Sequence, residues 1–335
     1  MPDANIALLI IIFVVALAFG LSNGFNDAAN AVAGAIGSRA IRPRNALALA
    51  ATFNLSGTLA GAWLGTAVAK TIGKGIITEL SYEIVLAAVI AAVVWTLIAT
   101  YRGLPISVSH SLVSGLVGAG LATVGTSEIG WAKFGRTLLS VVLAPLFGFI
   151  AAFALMIVLL WAFHKFKPGL INNIFRKGQW ATTAFFSFAH GQNDGQMPVA
   201  LMAMGLGIYK GIDYFGADAR VPLWIILLAG ASMSIGIAVG GWRVIKTIGF
   251  KVTALQPIHG FSAQAAAATS ISLASWQGIP VSTTHCGVAS VIGVGATHRL
   301  SAVRWGIARG IVFAWVLTFP VCIGLGWALA KLFTL

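Results

Sequence analysis

Two carboxylates are singled out by their surroundings. Asp27 lies in "LSNGFNDAANAVA" (Leu21–Ala33) and Asp194 in "HGQNDGQMPVA" (His190–Ala200), each directly after an asparagine in an apolar, Gly-containing stretch. The chain has only eight acidic residues, and the other six (Asp3, Glu79, Glu83, Glu128, Asp213, Asp218) fall near a terminus or in predicted loops. A carboxylate at membrane depth costs about 2.5–3.5 kcal/mol on the milder insertion scale, so one retained there points to a cation or proton as partner. A helix cap alone would be served as well by Asn or Ser, without the charge. No Lys or Arg stands in the middle of a clear apolar span, so the expected partner is mobile: a proton or a metal ion held by Asp27 and Asp194. Asn26, Asn30 and Asn193 offer neutral oxygens beside them, which suits Na⁺ or another hard cation.

A second pair of stretches reads as the opposite chemistry. "LPISVSH" (Leu104–His110) and "IPVSTTH" (Ile279–His285) each run Pro, hydroxyls, His, then small residues. Pro sets φ near a helix start and Ser or Thr caps the first turn. Each segment is short for a full span and is predicted to be a half-helix that starts inside the membrane. Free N–H groups, the helix dipole and the hydroxyls of Ser107, Ser109, Ser282, Thr283 and Thr284 would then cup a small oxyanion. Taken singly, such hydroxyls often bond only their own helix. His110 and His285 could orient a hydroxyl or relay a proton, and so could His190 beside the second Asn-Asp. Asn54 and Gln264, amides in small-residue segments, read equally as polar links between helices. Moving an anion into a cell that is negative inside costs about 2.3 kcal/mol per charge per 100 mV. Carboxylates that hold cations beside an oxyanion cup supply what coupled import of such an anion needs.

The elements that must position these groups are membrane helices. Hydrophobic residues make up 59% and charged residues 9% of 335, with a mean hydropathy of +0.93, whereas a soluble domain carries about 25% charged residues. Clear apolar stretches cover 5–22, 46–69, 82–101, 138–163, 221–240 and 305–333, and shorter or Gly-broken ones cover 106–124, 180–209, 252–275 and 280–297. An all-α integral membrane protein of ten to twelve membrane segments, some broken or re-entrant, is predicted. The N-terminal stretch lacks a basic region before its long apolar run and reads as a membrane helix rather than a cleaved signal. Cys286 and Cys322 lie far apart in apolar segments, which argues against a disulfide or metal cluster. The net charge of +13 does not indicate nucleic acid, because the basic residues gather at segment ends (Arg39, Arg42, Arg44; Lys165, Lys167, Arg176, Lys177). That placement predicts cytoplasmic loops.

The chain also repeats itself. "GFNDAANAVAGAIG", "KTIGKGI", "LPISVSH" and "VGAGLAT" return in the same order as "GQNDGQMPVALMAMG", "KTIGFKV", "IPVSTTH" and "IGVGATH". The predicted organisation is a first repeat over 1–165, a basic cytoplasmic linker over 166–177 and a second repeat over 178–335. With both basic clusters inside and the first helix starting outside, each half crosses an odd number of times. The halves are then inverted, with both termini outside, an architecture of many secondary transporters.

These four motifs in order resemble the paired signatures of the inorganic phosphate transporter (PiT) family over nearly the whole chain, without a large central insertion. "GWRVIKTIG" and "GFSAQAAAATSISLAS" further resemble its bacterial low-affinity branch. The resemblance implies a cell-membrane symporter for inorganic phosphate, not an enzyme, with two inverted repeats and often a homodimer. It implies that Asn26, Asp27, Asn193 and Asp194 bind cation and phosphate, and that Ser107, Ser109, Ser282, Thr283 and Thr284 bind phosphate. Val108 departs from the pattern where a hydroxyl is usual, and Phe25 and Gln192 where a small residue is usual. Sodium-coupled members often carry Glu where Asn54 and Gln264 stand. Amides there favour the bacterial pattern, in which protons drive import and phosphate can travel as a neutral complex with a divalent metal. Sulfate is the nearest alternative substrate, but HPO₄²⁻ can donate a hydrogen bond to Asp27 or Asp194 and sulfate cannot. A different class, an intramembrane aspartyl protease using the two Asp as a dyad, would leave the hydroxyl cups idle.

Overall fold

The computed structural model describes residues 5–64, 75–78, 80–216, 220–276 and 282–334. It is helical, and among the described residues no strand forms beyond an isolated bridge between Ile77 and Ile129. In chain order the helices are α1 (Ile6–Gly37), α2 (Pro43–Leu64), α3 (Tyr82–Arg102), α4 (Val108–Thr123), α5 (Trp131–Phe163), α6 (Pro168–Asp194), α7 (Gln196–Lys210), α8 (Leu223–Val239), α9 (Trp242–Lys246), α10 (Pro257–Trp276), α11 (Thr283–His298) and α12 (Trp305–Phe333). Local sequence starts them as expected. Asn5 caps α1 by accepting from Ala7 N and Leu8 N at 3.1 and 3.2 Å, and Ser81 caps α3. Ser107 and Ser282 cap the two 16-residue helices α4 and α11.

Among the described residues, α1, α3, α5 and α12 are long and apolar enough to cross a membrane, and α8 with the helical segment Trp242–Lys251 that follows it, bent by 55°, is a broken span or a re-entrant loop. The bend falls on Gly240 and Gly241; Gly240 has φ 73°, a left-handed conformation that costs a glycine little. The packing is inverted relative to a water-soluble protein. Val142, Phe147, Phe313 and Val316 face outward with more than half their surface exposed, while Asn23, Asn26, Asn54, Gln179 and His190 are wholly buried. Outward apolar faces are what a lipid solvent requires. Helices approach closely through glycine: a side chain on Gly24 would overlap the backbone of Met233 and Gly236, joining α1 to α8, and one on Gly191 would overlap that of Asn54, joining α6 to α2.

The two Asn-Asp pairs stand differently in their helices. The first Asn-Asp pair does not sit at a helix break, because α1 runs unbroken for 32 residues through Asn26 and Asp27. Only the second pair does: α6 ends on Asp194, and α7 starts after Gly195. The difference has a local cause. Asn-Asp is followed by Ala-Ala in α1, the best helix formers, and by Gly195 in α6. Residues 168–177 of the basic linker are also already helical, as the first turns of α6 behind Pro168.

Candidate functional site

Three elements meet at the two carboxylates. α1 brings Asp27 from its middle, α6 brings His190 and Asp194 on its last turn, and α11 brings Thr283 and Thr284 on its first. All five side chains are at most 3% exposed. His190 Nε2 lies 3.3 Å from Asp27 Oδ2 and 3.2 Å from Asp194 Oδ2. Thr284 donates its hydroxyl to Asp27 Oδ1 at 2.7 Å, and Thr283 donates to Asp194 Oδ2 at 2.6 Å. Asn30 Nδ2 donates to Asp27 Oδ1 and to Thr284 Oγ1, both at 2.9 Å. Asn193 Nδ2 donates to Asp194 Oδ1 at 2.8 Å.

Within the chain, His190, read from sequence as a possible proton relay, bridges the two carboxylates. It lies four residues before Asp194 on one helix face, the spacing at which side chains pair. One potential ligand atom from each of Asp27, His190 and Asp194 falls within 4.8 Å of the others, close enough for all three to hold a cation. Behind His190, Asn54 Nδ2 lies 2.8 Å from Nδ1, and Asn54 Oδ1 accepts from the Ser234 hydroxyl at 3.3 Å. With the amide donating, Nδ1 is the acceptor and Nε2 carries the hydrogen shared between the two carboxylates.

The first hydroxyl stretch is arranged differently from the second. Ser107 and Ser109 bond each other at 3.0 Å and do not reach the carboxylates. Ser107 Oγ also accepts from His110 N at 3.4 Å, and Ser282 Oγ accepts from His285 N at 3.1 Å. The two short helices α4 and α11 meet through their histidines, whose rings stand edge-to-face at 4.9 Å. His285 stacks on Trp315 at 3.9 Å, Trp315 Nε1 donates to Pro105 O at 2.9 Å, and His110 Nε2 bonds Ser140 Oγ at 3.1 Å. His110 Nδ1 and both ring nitrogens of His285 are buried without a hydrogen-bond partner among the described residues.

Two predicted site residues act on the frame. Asn26 Nδ2 donates to Thr100 Oγ1 at 2.9 Å and to Leu104 O at 3.1 Å, and its Oδ1 accepts from Ile106 N at 3.1 Å. Asn26 thus fastens the segment that leads into α4. Asn26→Ala leaves these buried backbone groups unpaired and is expected to lower stability by about 1–3 kcal/mol, read as a lower melting temperature of the purified protein. Gln264 accepts from Thr182 at 3.0 Å and donates to Ala31 O at 2.5 Å. It ties α10 to α6 and α1 and touches neither carboxylate.

Asn23 was not picked out from sequence. It is fully buried, and neither amide atom finds a partner among the described residues. It stands one turn before Asp27 and Asn30 one turn after, so the three share a face of α1. That spacing was the signal, hidden by attention to the Asn-Asp pair itself. Asn30 Oδ1 is likewise unpartnered among the described residues, so this face offers amide oxygens beside a carboxylate.

The chain is similar to known proteins over most of its length. The chain is 40% identical over 322 residues to the probable low-affinity inorganic phosphate transporter of Rhizobium meliloti (strain 1021), covering 95% of each chain. It is 36% identical over 328 residues to the protein of the same description from Bacillus subtilis (strain 168), covering 97% of this chain and 96% of that one. A solved structure described as the sodium-dependent phosphate transporter superposes with a TM-score of 0.89 at 28% identity, over 98% of this chain and 99% of the other. These relatives are transporters, which removes the aspartyl protease as an alternative. A family model described as "Phosphate transporter family" matches residues 23–173 and 165–326, nearly the whole length, and the chain belongs to that family.

Proposed function

We propose that the protein imports inorganic phosphate across the cell membrane together with a cation, by alternating access between two inverted repeats, 1–165 and 178–335. The observation that carries this reading is the direct contact between the two motif types: the α11 hydroxyls of Thr283 and Thr284 bond Asp194 and Asp27. Cation and anion chemistry are thus contiguous. A cation or proton that arrives at the carboxylates competes for the acceptors that hold these hydroxyls, and so frees them to donate to an oxyanion. Phosphate then binds between the starts of α4 and α11, through Ser107, Ser109, Ser282, Thr283 and Thr284. Phosphate is favoured over sulfate because it can still donate to a carboxylate.

The coupling cation in this reading is H⁺, on the strength of His190. An imidazole between two carboxylates is a natural seat for a proton, and Asn54 can serve both ring states. Its amide donates to a neutral Nδ1 and, once rotated, accepts from a protonated one, with Ser234 able to take either role. A divalent metal carried with phosphate would use Asp27, Asp194 and His190 as ligands. Na⁺ coupling is the second reading, favoured by the description of the superposed structure. The arrangement of ten to twelve membrane segments with termini outside and 165–177 in the cytoplasm belongs to the same proposal. The cavity lined by Arg39 and Arg42 together with Arg176 and Lys177 supports it, since residues from both basic clusters come together there. The homodimer is proposed on the family resemblance.

Radiolabelled phosphate uptake into proteoliposomes, with pH, Na⁺ and Mg²⁺ gradients imposed separately and excess unlabelled sulfate present, tests the proposal. An inward H⁺ gradient is expected to raise uptake, and sulfate is expected not to compete. Stimulation by Na⁺ alone would select the second reading, loss of uptake to sulfate would move the substrate, and no response to any cation gradient would overturn coupled import.

A further inference from the structure

We propose that the cavity between the α1–α2 turn and the start of α6 binds the phosphate headgroup of an acidic phospholipid. The cavity measures about 680 Å³ and is lined by Arg39 and Arg42 on one side and Arg176 and Lys177 on the other, with Trp180 and Phe250 beside them. Among the described residues, no acidic residue lines it. Four cations gathered without a carboxylate repel one another, and an anion seated among them relieves that repulsion. Guanidinium groups recognise a phosphate by paired N–H donors, and three of the four cations are arginines.

The backbone adds an independent sign. Arg39 has φ 57°, the only non-glycine residue with positive φ among those described. That conformation costs a side-chain-bearing residue about 1 kcal/mol or more, and Gly or Asn would occupy it more readily. An arginine kept in such a turn places its charge at the cavity despite that cost. Arg176 Nε donates to Ala40 O at 3.5 Å and so joins the two walls.

The surroundings identify a lipid rather than a free anion. Trp180 and Phe250 are 43% and 46% exposed beside the cations. A tryptophan beside basic side chains is the residue type enriched at the membrane–water boundary. Leu170 and Ile174, four residues apart on α6, are 48% and 41% exposed, and Phe166, in the bend before the helix, is 49% exposed, an apolar stripe flanked by Lys165 and Lys167. Such a stripe lies at the headgroup–acyl boundary. A phosphodiester in the arginine cluster would leave its acyl chains along these apolar side chains. The site is separate from the carboxylates, since Ile36 in its lining stands about 14 Å further along α1 than Asp27 at 1.5 Å per residue.

Native mass spectrometry of the full chain in neutral detergent, with short-chain phosphatidylglycerol or phosphatidylcholine added, tests this. The wild type is expected to retain phosphatidylglycerol in preference, and excess inorganic phosphate is expected not to displace it. Arg176→Gln and Arg39→Gly are each expected to weaken retention about fivefold, the effect of one surface cation on an acidic lipid. Arg39→Gly removes the charge while relieving the backbone, so misfolding cannot account for its loss. Equal retention of both lipids, unchanged retention in both variants, or displacement by inorganic phosphate would each overturn the assignment, the last in favour of a free-phosphate site.

Discussion

Asp27→Asn is expected to lower phosphate uptake in proteoliposomes by about a hundredfold or more, which corresponds to about 3 kcal/mol. The substitution keeps the shape of the side chain, so the packing of α1 is preserved. It removes what the site depends on. Asp27 accepts from Thr284 and Asn30 through Oδ1 and faces His190 Nε2 through Oδ2. An asparagine can keep the first two bonds only by turning its Nδ2 toward His190, where donor meets donor. Turned the other way, it faces the Thr284 and Asn30 donors with an NH₂ group. Bonds to a charged acceptor are worth about 1.5–3 kcal/mol, and the negative charge that attracts the cation is lost as well. Asp194→Asn is expected to behave alike, because Asp194 takes the Thr283 hydroxyl and the other approach of His190. The groups act as one unit, so the double variant is expected to be no worse than about the lower single one. Uptake within twofold of wild type in either single variant, with protein of normal melting temperature, would show the carboxylates to be structural.

The two carboxylates and the Thr283 and Thr284 hydroxyls that bond them stand out in the sequence, because a charge or a Pro-hydroxyl run in so apolar a chain has few other reasons to exist. What they do with one another stands out less. Asn26 and Asn193 occupy the same place in the two repeated motifs but have different partners. Asn193 bonds its neighbour Asp194, while Asn26 holds the segment before α4, some 80 residues away. A contact that distant depends on how α1 packs against α3 and α4, which no local pattern reports. His285 on Trp315 is illegible for the same reason. By contrast, the pairing of His190 with Asp194 follows from a spacing of four on one helix and could have been read. Glycine beside each Asp does not by itself tell a break from close packing: Gly195 ends α6, whereas Gly24 lies inside α1 against the backbone of Met233 and Gly236.

Gly191→Ala is the packing change expected to reach the site most directly. α6 lies against α2 through interleaved glycines. An added Cβ on Gly191 would overlap the carbonyl of Asn54, and one on Gly57 would overlap that of Phe188. Backbone at such distances has no side chain to swing aside, so the helices must separate. Overpacking of this kind costs about 1–3 kcal/mol. The separation also acts where it matters chemically, because Asn54 is the residue that holds His190 Nδ1 at 2.8 Å. A single methyl group is therefore expected both to lower the melting temperature and to reduce uptake at least tenfold, about 1.4 kcal/mol. Gly135→Ala is the matched comparison, since a Cβ there meets nothing within 4 Å. It is expected to leave uptake unchanged and to stabilise α5 slightly, as alanine does relative to glycine in a helix. If Gly191→Ala behaved like Gly135→Ala, the close approach of α2 and α6 would not be what orients His190 between the two carboxylates.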